Sequence, residues 1–228
     1  MRQHRGVAQL ARAPALGAGS RRFKSCHPDQ QRHCNQSNGM KFLKETNWNE
    51  VFSGWREREA DDPGWKKVAT QVKGWRDWES WRKNTASQLG AEKRKWQIFE
   101  LTDPLNEIPA MLVGPYAGWQ SRLPKKNEMT FEDLANIPEQ RKFFKNHSRV
   151  ASMMKNFPSP TEMIGLVRQD NEKIICVEGH HRATAVAIAK KENQMINFHV
   201  PVRIALAKIS ASELSLLDKM LERGSAAP

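Results

Sequence analysis

Five consecutive residues, Glu178-Gly179-His180-His181-Arg182, place a carboxylate, two imidazoles and a guanidinium on one short stretch of chain. A carboxylate can ligate Mg2+ or take a proton, an imidazole can donate to a phosphate or activate a nucleophile, and a guanidinium binds two phosphate oxygens at once. The glycine lets a ligand approach the backbone closely. These residue types suit the binding or transfer of a phosphoryl group, which needs positioning and charge neutralisation above all. They would equally suit a surface turn whose polar side chains cap a helix, and spacing alone leaves both readings open.

The flanking residues must position that chemistry. Ile174, Ile175, Cys176 and Val177 form an apolar run of buried-strand length, and Ala183 to Lys191 reads as a helix with Val186, Ile188 and Ala189 available for burial. A strand that turns on glycine into a helix directs unpartnered N–H groups and the positive end of the helix dipole at an anion. Cys176 reads as a small buried hydrophobe.

Strand–Glu–Gly–His–His–Arg–x–x–Ala, from Val177 to Ala185, resembles the signature of the ParB/sulfiredoxin superfamily, which includes chromosome-partition CTPases, sulfiredoxins and free serine kinases. The resemblance is carried by these residues and more loosely by Trp96 to Ile209. It implies an α+β domain, a mixed sheet flanked by helices, that holds ATP or CTP with Mg2+, the phosphates lying at the helix start. Carried over to this chain, Gly179, His180, His181 and Arg182 would bind the nucleotide. Glu178 and His181 would be catalytic, and Glu178 would hold the metal. Sulfiredoxins need a cysteine where His180 stands, so sulfinic-acid chemistry is set aside. Partition CTPases continue into a helix-turn-helix, for which the residues after Ile209 are too few. Free serine kinases come closest, although Glu178 stands where Asp is expected. Their second catalytic carboxylate lies upstream, and Asp103 and Glu107 are the candidates here. A metal site built on histidine finds no HExxH or CxxC spacing to support it.

Elsewhere the chain is informative about organisation. It has 228 residues, 39% of them hydrophobic, which suffices for one domain with a core. No apolar run approaches the length of a membrane span, so a soluble, cytoplasmic protein with no membrane partner is expected. The formal charge is +12, and residues 1–39 hold seven Lys/Arg and one acidic residue, which is half of it. Arg5 to Gln30 resembles a transfer-RNA gene read as codons: Arg22-Phe23-Lys24-Ser25-Cys26 back-translates to a T-arm, and Arg5-Gly6-Val7 can pair with His27-Pro28-Asp29 as an acceptor stem. On that reading residues 1–39 are mis-assigned upstream translation, disordered and dispensable, and the protein starts at Met40. The competing reading is an Arg-rich targeting peptide.

Residues 40–95 read as a Trp-rich helical segment. Trp48, Phe52 and Trp55 share one face, and Val68, Val72, Trp75, Trp78 and Trp81 continue at helical steps. Asp62 and Pro63 would start a new helix. Aromatics interleaved with Arg and Lys could stack nucleic-acid bases, but packing under Arg and Lys stems is the better reading. Residues 96–209 form the core domain. Within them Trp96 to Leu101 is its first strand, Ile108 to Val113 a second extended piece, and 114–119 a loop whose Tyr116 and Trp119 would contact substrate. Thr130 and Pro138 open helices, Arg149 to Phe157 is another, 163–177 is a hairpin and His199 to Ala207 a strand. Residues 210–228 are a helix, capped by Ser212, and a tail. The expected function is an ATP-dependent phosphotransferase or NTPase acting on a small-molecule acceptor. A non-catalytic nucleotide- or nucleic-acid-binding module is the alternative. On the first reading, Arg182→Ala is expected to abolish nucleotide binding with little loss of stability.

Overall fold

The structure, a computed structural model, describes residues 39–227. The expectations for the stretch upstream of residue 39 lie outside the described residues. The chain begins with strand β1 (Lys41–Thr46), followed by α1 (Trp48–Glu59), α2 (Pro63–Lys67), a π-helical turn (Val68–Val72) and α3 (Trp78–Gln88). Strand β2 (Trp96–Glu100) leads into five short helices: α4 (Pro104–Glu107), α5 (Ala117–Gln120), α6 (Phe131–Asn136), α7 (Pro138–Lys145) and α8 (Ser148–Lys155). Strands β3 (Glu162–Arg168) and β4 (Ile174–Glu178), helix α9 (His180–Lys191), strand β5 (Arg203–Ile209) and helix α10 (Ser215–Arg223) complete it.

The fold is mixed α+β. Five strands form one sheet in the order β1-β2-β5-β3-β4, antiparallel except for the central β5–β3 pair, which is parallel. Alternation along the strands feeds both faces. Met163, Cys176, Ile204 and Leu206 join the core beneath α6 to α9, whereas Ile164, Leu166, Ile175, Val177 and Ala205 join Trp48, Trp55, Trp78 and Trp81 on the opposite face. The Trp-rich helices therefore form the third layer of a helix–sheet–helix stack. Trp55 is fully buried, and removing an indole from such a position costs about 3–5 kcal/mol.

Local signals explain the helix starts. Asn47, Asp62 and Asp77 each accept a backbone N–H three residues on, and Thr130 and Asp133 make a reciprocal capping box. Pro138 opens α7 as expected, and β3 and β4 form the expected hairpin.

Four expectations need correction. Lys41–Thr46 is a strand rather than helix, because its backbone completes the sheet by pairing with β2, so a division between a segment 40–95 and a domain 96–209 cuts through the sheet. The helical run through Val68, Val72, Trp75 and Trp78 is broken: Gly74 takes φ +73° and Val72 is left 65% exposed. Ile108 to Val113 is no strand; only Leu112 makes isolated bridges, to Thr130 and Ile175. Ser210, not Ser212, makes the C-terminal capping box, and the strand before it starts at Arg203.

Candidate functional site

Strand β4 ends at Glu178 and helix α9 begins at His180, with Gly179 between them at φ +110°. Glycine is required there by conformation, and a Cβ, 2.6 Å from the end of the Met163 side chain, would also push that side chain aside. The turn opens into a cavity of about 700 Å3, within the range of small-ligand sites. All seven residues expected at the site border it: Glu178, Gly179, His180, His181 and Arg182 from the turn, and Tyr116 and Trp119 from the loop before and within α5. Asp103 and Glu107 do not. Glu107 accepts the Asp103 backbone N–H at 2.8 Å beside Gly39, away from the cavity wall, so neither is the second carboxylate of this site.

The turn residues are mostly engaged with one another. Arg182 is 8% exposed; it donates to the Glu178 carboxylate and, at 3.1 Å, to the Glu162 carbonyl. Burial pushes the Glu178 carboxyl up from its ordinary value, against the pull of Arg182, while Glu178 holds the guanidinium firmly protonated. The expectation that Arg182 is an available phosphate ligand, removable at little cost, is therefore corrected. Truncating it would strand a buried carboxylate.

His180 is likewise turned inward. Its Nε2 accepts the Gly114 N–H at 3.0 Å, and its Nδ1 lies 3.6 Å from Cys176 Sγ, which donates to the Glu178 carbonyl. That set fixes the neutral tautomer with the proton on Nδ1. Burial, with help from His181 and Arg82, holds the imidazole at about 3. Gly114 must lack a side chain, because a Cβ there would meet the Cys176 carbonyl at 2.0 Å. Cys176 is buried, and burial pushes its thiol well up, as befits a packing residue. Tyr116 donates its phenol to the Val177 carbonyl at 2.8 Å and so braces the strand end.

His181 differs. It alone among the turn side chains makes no hydrogen bond to the described protein. It lies among the rings of His147, Trp119 and Trp65, with centroids 5.0, 5.2 and 5.8 Å away. Burial, then His147 and Arg149, hold it neutral at about 3. It can therefore donate or accept one hydrogen bond into the cavity without carrying charge.

The opposite wall comes from the Trp-rich layer, expected to serve packing in preference to base stacking, and from α8. Trp55, Trp65 and Trp81 present indoles, and Arg82 lies over them, 3.8 Å from the Trp81 ring. Arg82 pairs with Glu59 at 3.1 Å, Arg149 with Asp62 at 2.7 Å and Arg58 with Glu162 at 3.4 Å. Nε of Arg82, Nε and Nη2 of Arg58 and the indole N–H groups of Trp55 and Trp81 have no acceptor among the described residues. All five are donors. Each guanidinium already faces a carboxylate, so what they leave at the wall is unsatisfied donor dipole, which favours an anion or other acceptor nearby. A partial signal for this wall existed in the sequence, where Arg58-Glu59 and Asp61-Asp62-Pro63 interrupt the aromatic face.

Among the described residues no cluster of three His, Cys, Asp or Glu side chains is placed to hold a metal ion. Mg2+ in phosphate sites is usually held by one or two carboxylates and the phosphates themselves. Glu178 carries Arg182 on Oε1 but keeps Oε2 without a partner and so fits that requirement, whereas Arg149 occupies both oxygens of Asp62. No protein-family model, no curated protein and no solved structure matches this chain.

Proposed function

We propose that the chain is a nucleotide-binding protein of the ParB/sulfiredoxin type, whose cavity takes a nucleoside triphosphate with its phosphates towards the amino end of α9. The observation that carries the reading is the composition of one cavity wall. The amino end of a twelve-residue helix borders a space that also holds four indoles and a row of guanidinium groups whose spare donors lack acceptors. Indole faces suit a base and the cationic surplus suits phosphate. The neutral imidazole of His181 is available to hydrogen-bond an oxygen of the ligand. When Mg2+ accompanies the phosphates it neutralises their charge, and Glu178 Oε2 is the atom that would hold it. Phosphoryl transfer to an acceptor, with Glu178 and His181 as the catalytic pair, is the activity the signature implies.

One feature favours a second reading, a binding module without turnover. Each carboxylate on the wall faces a guanidinium, so none is placed as a free base. Calorimetric titration of the full chain with ATP and with CTP, each with Mg2+, tests the shared part of both readings; absence of heat with both nucleotides would remove it. Glu178→Gln then separates them. The enzyme loses nucleotide hydrolysis or transfer in this variant while still binding, whereas the module shows no turnover in either form.

A further inference from the structure

The cavity has a rim that the signature does not account for. Six cationic side chains border the cavity, and four are matched by carboxylates: Arg58, Arg82, Arg149 and Arg182. Lys73 and Arg223 have no carboxylate partner among the described residues. They come from segments 150 residues apart that are tied together at one place. The indole N–H of Trp75 donates to the Ser225 carbonyl at 3.0 Å, and the Ala227 N–H donates to the Lys73 carbonyl at 2.7 Å. Gly224 turns the chain out of α10 with φ +69° and ψ −158°, a conformation that is essentially glycine-only, and so lays Ser225 and Ala226 along the cavity. Two unmatched cations and a strained turn thus converge on the same edge.

We propose that Lys73 and Arg223 hold the outer phosphates of the ligand, and that the Gly224–Ala227 strap, pinned by Trp75, completes this edge of the site. The inference rests on the nucleotide reading and assigns the part of the ligand that this rim selects. The inner charges are already balanced pair by pair, so the two cations left over are the wall's unbalanced positive charge. A nucleoside monophosphate placed at α9 has no phosphate left for the rim. A di- or triphosphate does, and each further phosphate gains a charge-assisted contact from a flexible, water-accessible stem. The site therefore discriminates by phosphate count rather than by base alone.

The test is titration of the full-length protein with AMP, ADP and ATP. Affinity rises in that order, and Lys73→Gln combined with Arg223→Gln lowers ATP affinity by about tenfold per lost contact while AMP affinity stays within about twofold. Neither side chain is buried, so the thermal midpoint of the double variant stays at the wild-type value and a folding defect cannot mimic the result. Trp75→Phe keeps an aromatic ring, though a smaller one, and removes the indole donor; it speeds ATP dissociation. Wild-type protein that binds AMP and ATP equally well, or a double variant that loses both in proportion, overturns the rim and leaves the nucleotide reading intact. Wild-type protein that binds none of the three overturns both.

Discussion

The signature turn and the Trp-rich layer face each other across one cavity and are built on opposite principles. The turn, Glu178 to Arg182, is desolvated and closed on itself. Its guanidinium bonds its own carboxylate, and its first imidazole is fixed by Gly114 and Cys176. The Trp-rich layer combines a buried pair, Arg82 with Glu59, with a half-open pair at the cavity edge, Asp62 with Arg149 of α8, whose side chains are 35% and 31% exposed. Apart from His181, the residues that look most chemical in the sequence thus brace a helix end, and those that look structural present most of the charge and aromatic surface to the cavity. A short motif of reactive residue types specifies a geometry; which of its groups remains available depends on what packs around it.

That contrast predicts unequal responses to the same substitution. Arg182→Ala leaves the Glu178 carboxylate buried and unpaired, and the expected loss is about 3–5 kcal/mol in urea denaturation. Arg149→Ala breaks a half-exposed pair and costs less than about 1 kcal/mol, yet removes a cation from the cavity wall and lowers nucleotide affinity. Equal stability losses in the two variants would erase the distinction between the regions.

Acidification should act on the turn next. His180 and His181, held at about 3 against an ordinary 6.5, refuse protons that the unfolded chain accepts. Their contribution to stability is full above pH 6.5 and is lost as the pH falls towards 3. Between pH 7 and pH 5 this amounts to roughly 2 kcal/mol for each imidazole. Glu178, pushed up by burial, works in the opposite direction and offsets part of the loss. Urea midpoints measured across that range should fall with pH, and a flat profile would mean that the imidazoles are not buried.

The smallest expected effect belongs to the aromatic wall. Trp65 is half-buried and stands between His181, Trp81 and Arg149. Trp65→Leu keeps apolar contact and removes the π face, so nucleotide affinity should drop by about tenfold, the weight of one stacked base, with the fold retained. An unchanged affinity would place the base elsewhere in the cavity.

How much of this could be read from the chain depends on how local its cause is. The strand–glycine–helix turn was legible because apolar run, Gly179 and helix are contiguous. The Glu178–Arg182 pair was legible in principle as an i,i+4 contact, and the break at Gly74 as a glycine inside a helical pattern. The membership of Lys41–Thr46 in the sheet was not legible. Its residues carry little alternation, and the strand exists because Trp96–Glu100 offers a free edge. Nor could the cavity wall be read, since Asp62 meets Arg149 across 87 residues and Arg58 meets Glu162 across 104. The choice of Asp103 and Glu107 failed for the same reason. An upstream position was all that the resemblance required, and it said nothing about which carboxylates the third layer, Glu59 and Asp62, would bring to the cavity.

The central claim is that one cavity, walled by the Trp-rich layer and the α9 turn, holds the nucleotide. Its most direct test is the intrinsic tryptophan fluorescence of the wild-type protein and Arg149→Ala, titrated with MgATP. A saturable change in the wild type that is weakened in the variant, with the two melting within about 4 °C of each other, is the predicted result. No change in the wild type, or an identical titration in the variant, would contradict it.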